Sequence, residues 1–246
     1  MKLTLDLHVH SDASFDGRMS VRQIALLAKA RGIDGVAICD HDVVYTGPTE
    51  VEGVLIIPGA EFSTEHGHLL GLFVTEQIEA RELGAAIDAV HACGGLAVMA
   101  HPFERSSDAQ RLDAYLDRLD GIEVWNGRAD RKNPQANAMA CALAQRAQKP
   151  VTAGSDAHLP EEIGNGVVTL EVDALTLPAV RAALLRGATA VDGRRGKARY
   201  VAESQLTKRR RTHAGAAAYA KWALFAAKCC LQDITWKEET YHVLDR

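Results

Sequence analysis

The sequence lacks any apolar run approaching the roughly 18 residues that a membrane-spanning helix needs, although 47% of its 246 residues are hydrophobic. A transmembrane protein is therefore not expected. It also lacks a cysteine framework. Cys39, Cys93, Cys141, Cys229 and Cys230 are odd in number, scattered, and mostly embedded in apolar runs. That distribution excludes a disulfide-stapled fold and a paired thiolate zinc site, and reads as small buried hydrophobes in a reducing compartment. No internal repeat stands out at a fixed period, which argues against a solenoid or propeller. Neither sign of charge dominates: a net charge of -4 and a pI near 6.2 provide no general attraction to nucleic acid. Residues Met1 to Leu7 run straight into a strand pattern with no basic-then-apolar leader, so a cytoplasmic location is the expectation.

What is present is an alternation of short apolar runs with longer amphipathic ones, continuing to about residue 190. This is the pattern of βα units around a parallel sheet. Seven runs read as strands: 3–9, 35–39, 54–61, 69–74, 95–100, 121–125 and 150–153. Each is rich in Val, Ile, Leu or Ala, as strands buried on both faces require. Helices are expected from Ser20 to Arg31, Glu79 to Cys93, Ala109 to Leu119, Pro134 to Gln148 and Pro178 to Arg186, with Ser20 and Asn133 as N-caps and Gly32, Gly94 and Gly187 as stops. The length suits one α/β barrel.

Beyond about Ser204 the character changes. The basic run Lys208-Arg209-Arg210-Arg211 precedes an Ala-rich segment, Ala214 to Leu231, whose Tyr219, Trp222, Phe225 and Ala226 recur at helical spacing. We read residues 1–204 as one catalytic domain and 205–246 as a basic, Ala-rich helical extension packed on it. The basic run reads as a solvated face, out of reach of a small substrate, in preference to a nucleic-acid grip or a membrane contact.

The chemistry lies at the strand ends. His8 and His10 close the first candidate strand, Asp40, His41 and Asp42 the second, and Glu61 the third. His66 and His68 border the fourth, His101 ends the fifth, Glu123 and Asn126 the sixth, and Asp156 and His158 follow the seventh. In a parallel barrel these ends converge on one face, which holds the active site. His8 and His10, two apart in an extended strand, point to the same side. Any one of these residues could be a helix cap or a hydrogen-bonded core histidine. So many ionisable groups meeting without a cation would cost several kcal/mol each, roughly, in desolvation and repulsion. A mixed His and carboxylate set without cysteine suits Mn, Fe or Zn. A carboxylate such as Glu61 can bridge two ions, which activate water and clamp a phosphoryl group, so phosphoester hydrolysis needs no organic cofactor.

With those residues in view, the chain resembles the PHP family, the polymerase and histidinol phosphatase superfamily of metal-dependent phosphoesterases. Asp6-Leu7-His8-Val9-His10-Ser11 with Asp16-Gly17 resembles its first motif and Gly35 to Asp42 its second. Pro58 to Ser63, Ala100-His101-Pro102 and Ala153 to His158 resemble the later ones, in their usual order. The resemblance covers about residues 1–200. It implies a distorted (β/α)7 barrel and two or three divalent metal ions. The first ion would lie on His8, His10, Glu61 and Asp156, the second on Glu61, His68 and His101, and the third on Asp16, His41 and His158. His66 competes with His68, which fits the family's His-x-Leu-Gly pattern better through Leu69-Leu70-Gly71. Asp16 comes one residue later than the usual Ser-Asp-Gly arrangement. Catalysis would centre on His8, His10, Glu61, Asp156 and His158.

Some relatives acting on nucleotides or RNA ends carry a helical insertion between the fourth and fifth strands. Here His68 and His101 are only 33 residues apart, so no such insertion is expected. Phosphate contacts would come from Arg18, Arg105, Arg128, Arg194 and Arg195, whose guanidinium forks match phosphate oxygens, with Arg128 preferred because it directly follows strand six. The expected function is a phosphatase on a small phosphomonoester such as a nucleotide. A phosphodiesterase or exonuclease on short oligonucleotides is the alternative, and a metal-stabilised interaction module without turnover is the third reading.

Overall fold

The computed structural model describes residues 1–236 and 240–245. Its strands are β1 (Lys2–Val9), β2 (Gly35–Ile38), β3 (Glu50–Val51), β4 (Val54–Thr64), β5 (Gly67–Leu72), β6 (Leu96–Met99), β7 (Gly121–Asn126), β8 (Val151–Gly154), β9 (Gly166–Glu171), β10 (Ala190–Arg194) and β11 (Thr240–Asp245). The helices are α1 (Val21–Ala30), α2 (Leu83–Ala92), α3 (Ala136–Ala147), α4 (Leu177–Arg186), α5 (Ala198–Arg211) and α6 (Ala216–Thr235).

Seven strands, in the order β1-β2-β4-β5-β6-β7-β8, form the barrel wall. The wall closes where β8 runs back to β1: Asp156 N donates to His8 O at 2.8 Å and His10 N to Ala157 O at 2.9 Å. This is the distorted (β/α)7 barrel. One face of α1 packs Ile24, Ala25 and Ala28 onto Val36 and Ile38 of β2 and Val54 and Ile56 of β4. Ala37 and Ile57, which alternate with those residues, belong to the main core together with Leu3, Leu5 and Leu7.

Three expectations need correction. The barrel is not wholly parallel, because β5 runs antiparallel to both β4 and β6. The β4–β5 connection is only Glu65-His66, closing on the Thr64–Gly67 pair, and so short a turn cannot hold the crossover that a parallel partner requires. The segment Ala109 to Leu119 is not an α-helix but two short 3₁₀ turns, Gln110–Leu112 and Leu116–Arg118. Arg111 donates to the carbonyls of Pro102 and Asp108, which pins the chain there while Leu112 and Leu119 are both buried. Beyond the expected strands, β9, β10 and β11 add an antiparallel run on the open side of β1.

Helix α5 passes residue 204 without a break and packs against α6, burying Ala198, Ala202 and Cys229 between them. Asp233, near the end of α6, accepts from Ala198 N at 2.6 Å and Arg199 N at 3.2 Å, which caps the start of α5. Arg211 donates to the carbonyls of Asp12 at 2.9 Å and Ser14 at 2.5 Å, and Gln232 to that of Arg131 at 3.1 Å. These contacts lay the helical pair across the barrel mouth, over the loops that follow β1 and β7. No helix among the described residues is long and apolar enough to cross a membrane.

Candidate active site

A change of phase in β1 puts two histidines inside. Leu3, Leu5 and Leu7 join the main core, whereas Val9 belongs to the layer beneath α1. Between Asp6 and Val9 the pairing with β2 slips by one residue, a bulge of the kind that re-aims side chains beside active sites. His8 and His10, fully buried, therefore turn toward Glu61 on β4. His101 and Asp156, just beyond β6 and β8, adopt left-handed backbone conformations, with φ of 25° and 55°. Such strain persists where the surrounding structure over-determines it, commonly at functional sites.

Glu61 is the centre. Its Oε1 lies 2.7 Å from His68 Nδ1, 2.9 Å from His101 Nε2 and 3.6 Å from His8 Nε2. Its Oε2 lies 2.8 Å from His41 Nδ1 and 3.5 Å from His10 Nε2. Asp156 Oδ1 is 3.3 Å from His10 Nε2 and 4.0 Å from His8 Nε2. Asp16 Oδ1 is 3.3 Å from His158 Nε2 and 3.6 Å from His41 Nε2. Three sets of side chains each bring one donor atom per residue within 4.8 Å of one another: His8, His10 and Asp156; His8, Glu61 and His101; and His10, His41 and His158. Thus the nine residues expected as ligands converge, while His66 sits in the β4–β5 turn, beside Glu65 and Tyr115. Asp40 and Asp42 play other parts. Asp40 holds the loop after β1 through Ser11 N, Ser11 Oγ and Ser14 N, and Asp42 bonds Ser63 and Arg81.

The residues behind these side chains fix their orientation. Glu123 Oε1 lies 2.9 Å from His8 Nδ1, and its Oε2 accepts from His101 N at 2.8 Å and Asn126 Nδ2 at 3.1 Å. Ser14 Oγ lies 3.1 Å from His10 Nδ1 and accepts from His41 N at 2.9 Å. His158 Nδ1 lies 2.9 Å from Asp156 O. In each of these three histidines the Nε2 atom is left facing the carboxylates.

Electrostatics favour a cation here. Burial opposes charge on His41, but Glu61 and Asp16 outweigh it and lift its pKa to about 10. The same contest at His101, won by Glu61, gives about 9. Burial likewise disfavours a charged His8, yet Glu123, Glu61 and Asp156 raise it well above the usual imidazole value. His10 goes the other way, held well below by burial and by its neighbours His158 and His41. Burial alone would raise Glu61, but His68, His41 and His8 hold it well below the usual carboxylate range. The carboxylates draw positive charge into a largely buried site. Two buried oxygens, Asp16 Oδ1 and Glu61 Oε2, lie close to imidazole nitrogens but none of these contacts has hydrogen-bonding geometry. Buried carboxylate oxygens flanked by imidazole nitrogens, with no thiolate among them, fit divalent metal ions.

Seven of the nine residues expected as ligands, Asp16, His41, Glu61, His68, His101, Asp156 and His158, line the floor of a cavity of about 460 Å³, a size normal for a small ligand. Arg105 and Arg128 line it, whereas Arg18, Arg194 and Arg195 are not among its lining residues. Those three bond Glu203, Asn165 and Asp130, respectively. Arg128 is buried with Nε and Nη2 on Glu162, at 2.7 and 2.5 Å, and Nη1 3.2 Å from Ser204 Oγ. One expectation is overturned here: Lys208 and Arg209 of the basic run are not out of a small substrate's reach but line this same cavity, with Arg131 and Lys132. Contacts between α5 and the barrel mouth put them there, and nothing local in the sequence signals it.

A family model described as the PHP domain matches residues 6–126, and one described as PHP-associated matches residues 134–189. An uncharacterised protein of Methanocaldococcus jannaschii is 32% identical over 176 residues, covering 68% of this chain and 70% of its own. A 5′-3′ exoribonuclease of Haemophilus influenzae is 39% identical over 77 residues, 27% of each chain. Among solved structures, a two-domain protein of Bacteroides vulgatus containing a predicted PHP-like metal-dependent phosphoesterase aligns with a TM-score of 0.61 at 17% identity, covering 84% of this chain and 70% of that one.

Proposed function

The chain belongs to the PHP family of metal-dependent phosphoesterases, and from that premise we propose that it is a phosphatase acting on a small phosphomonoester, a nucleotide or similar metabolite. Glu61 carries the reading: one buried carboxylate faces five imidazoles, with His68, His101 and His8 on one oxygen and His41 and His10 on the other. His8, His10, Glu61 and Asp156 would hold a first ion, Glu61, His68 and His101 a second, and Asp16, His41 and His158 a third. Bound Mn, Fe or Zn ions would supply an activated water and neutralise the phosphoryl oxygens.

The chain's own residues then have distinct tasks. Glu123 holds the Nδ1 side of His8, and Ser14 holds that of His10, so that both Nε2 atoms face the floor. Asn126 Nδ2, 3.1 Å from Glu123 and 3.4 Å from Asp156, ties the two carboxylates together. Arg128, forked on Glu162 with its third nitrogen near Ser204, fixes the wall between β7 and α5. Arg105 supplies a more exposed guanidinium at the rim. Residues 1–204 carry every metal ligand in this reading, and the segment from residue 205 to the end of α6 lies over that cleft.

The second reading is a phosphodiesterase or exonuclease on short oligonucleotides. Lys208 and Arg209 in the cavity wall favour it, as does the similarity to the Haemophilus influenzae exoribonuclease. Assays of phosphomonoesters, nucleotides and short RNAs with Mn-, Fe- and Zn-loaded protein separate the two. Release of inorganic phosphate from the monoesters is expected; nucleotide release from RNA with no monoester turnover would establish the second reading instead.

A further inference from the structure

The cleft holds more positive charge than a single phosphate over bound metal ions requires. Three of its lining cations are already matched. Arg105 and Lys132 share Glu104, at 3.1 and 2.8 Å, and Arg128 is paired with Glu162. The other three, Arg131, Lys208 and Arg209, form no ion pair among the described residues.

Each is nonetheless held in place. The Nε of Arg131 is buried without an acceptor, and its guanidinium carbon lies 5.4 Å from the centre of the Phe225 ring. Arg209 donates to two main-chain carbonyls, Gln205 O at 2.8 Å and Ala218 O at 3.1 Å, which orient the side chain without cancelling its charge. The Lys208 ammonium sits 4.2 Å from the centre of the Phe15 ring, and Phe15 stacks on His41 at 4.8 Å with the rings 10° apart. Lys208 is thus joined through one aromatic ring to the histidine cluster on the cavity floor.

We propose that Arg131, Lys208 and Arg209 form a second anion subsite, so that the preferred substrate carries a further phosphate on its leaving group. This rests on the phosphoesterase reading above. The histidine and carboxylate floor addresses the scissile phosphate. The wall contributed by α5 and the turn after β7 addresses whatever lies outward. A neutral leaving group would desolvate three cations and offer them nothing, whereas a phosphate there accepts charge-assisted hydrogen bonds from them. Two kinds of molecule present that chemistry: a small bisphosphate, and a 5′-phosphorylated dinucleotide through its internucleotide phosphate.

Steady-state kinetics on the metal-loaded full chain test this with matched pairs. One pair is glucose 1-phosphate and glucose 1,6-bisphosphate; the other is adenosine 5′-monophosphate and the 5′-phosphorylated adenosine dinucleotide. The member of at least one pair that carries the second phosphate is expected to show a kcat/KM higher by about tenfold or more, the effect of one charge-assisted hydrogen bond, and chiefly through KM. Preference in the sugar pair identifies small bisphosphates, and preference in the nucleotide pair alone identifies the internucleotide phosphate. Lys208→Gln and Arg131→Gln should each remove most of the preference, and Lys208→Arg should keep it. Equal kcat/KM within both pairs, or an equal loss for both members in the Gln variants, would overturn the subsite. If none of these compounds is hydrolysed, the phosphatase reading fails by itself, and calorimetric binding of the two glucose phosphates decides the subsite. Tighter binding of the bisphosphate that is lost in Lys208→Gln sustains it; equal binding of the two overturns it.

Discussion

The Nδ1 atom of His8 lies 2.9 Å from Oε1 of Glu123, and this contact determines which imidazole nitrogen faces the cleft. Among the described residues Glu123 hydrogen-bonds no other proposed ligand side chain except through Asn126, so it acts by orienting His8 and by holding the His101 backbone. Glu123→Gln should lower metal affinity by about 10- to 100-fold, as loss of such orienting partners does. Metal titration followed by calorimetry measures it. Wild-type affinity would assign Glu123 to the fold alone.

Glu61 presents its two oxygens to different groups of histidines. Glu61→Gln keeps the shape and removes the charge, so metal analysis of the purified variant should show a deficit of more than one ion per chain. A deficit limited to one ion would make Glu61 a terminal ligand of a single site.

Metal uptake should release protons. Without metal, His41 and His101 have pKa values of about 10 and 9, and His8 also lies well above the usual imidazole range, so all three are protonated at neutral pH. A ligand nitrogen must be unprotonated, so binding displaces those protons, and affinity should climb as the pH rises from neutrality through about 9 to 10. Calorimetry in two buffers of different ionisation enthalpy reads the protons released. Heats independent of the buffer would show that these histidines are neutral before metal arrives.

Gly154 lets β8 pass close to β1 beside the site. A Cβ there would stand 2.2 Å from His8 Cβ and 2.7 Å from His8 N, so Gly154→Ala must push the strands apart. Overpacking of this kind costs about 1–3 kcal/mol. Thermal melting should show that loss, and metal titration should show weakened binding because His8 moves with the strand. A variant with wild-type stability and metal content would mean that the barrel end is soft enough to absorb the methyl group.

Much of the fold was legible because buried strands are continuous apolar runs: β1, β2, β4, β7 and β8 lie where those runs fall. Other elements were not. In β9 buried residues alternate with part-exposed ones, a weaker signal than a continuous run. The antiparallel course of β5 depends on a two-residue turn, not on the composition of the strand.

The sequence by itself determined the barrel, the residue types at its strand ends and hence a chemistry of divalent ions, because each of those signals is local: a hydrophobic run followed at once by a histidine or a carboxylate. Only the tertiary structure decided which side chains complete the cleft. His8 and His10 turn inward because of a register slip against β2, Arg128 meets a Glu162 that lies 34 positions further along the chain, and Lys208 reaches the cavity because Arg211 docks on carbonyls 197 and 199 positions away. Contacts at such separation leave no local pattern. They form only when helices α5 and α6, packed on each other, settle on the loops after β1 and β7, whose carbonyls accept from Arg211 and Gln232.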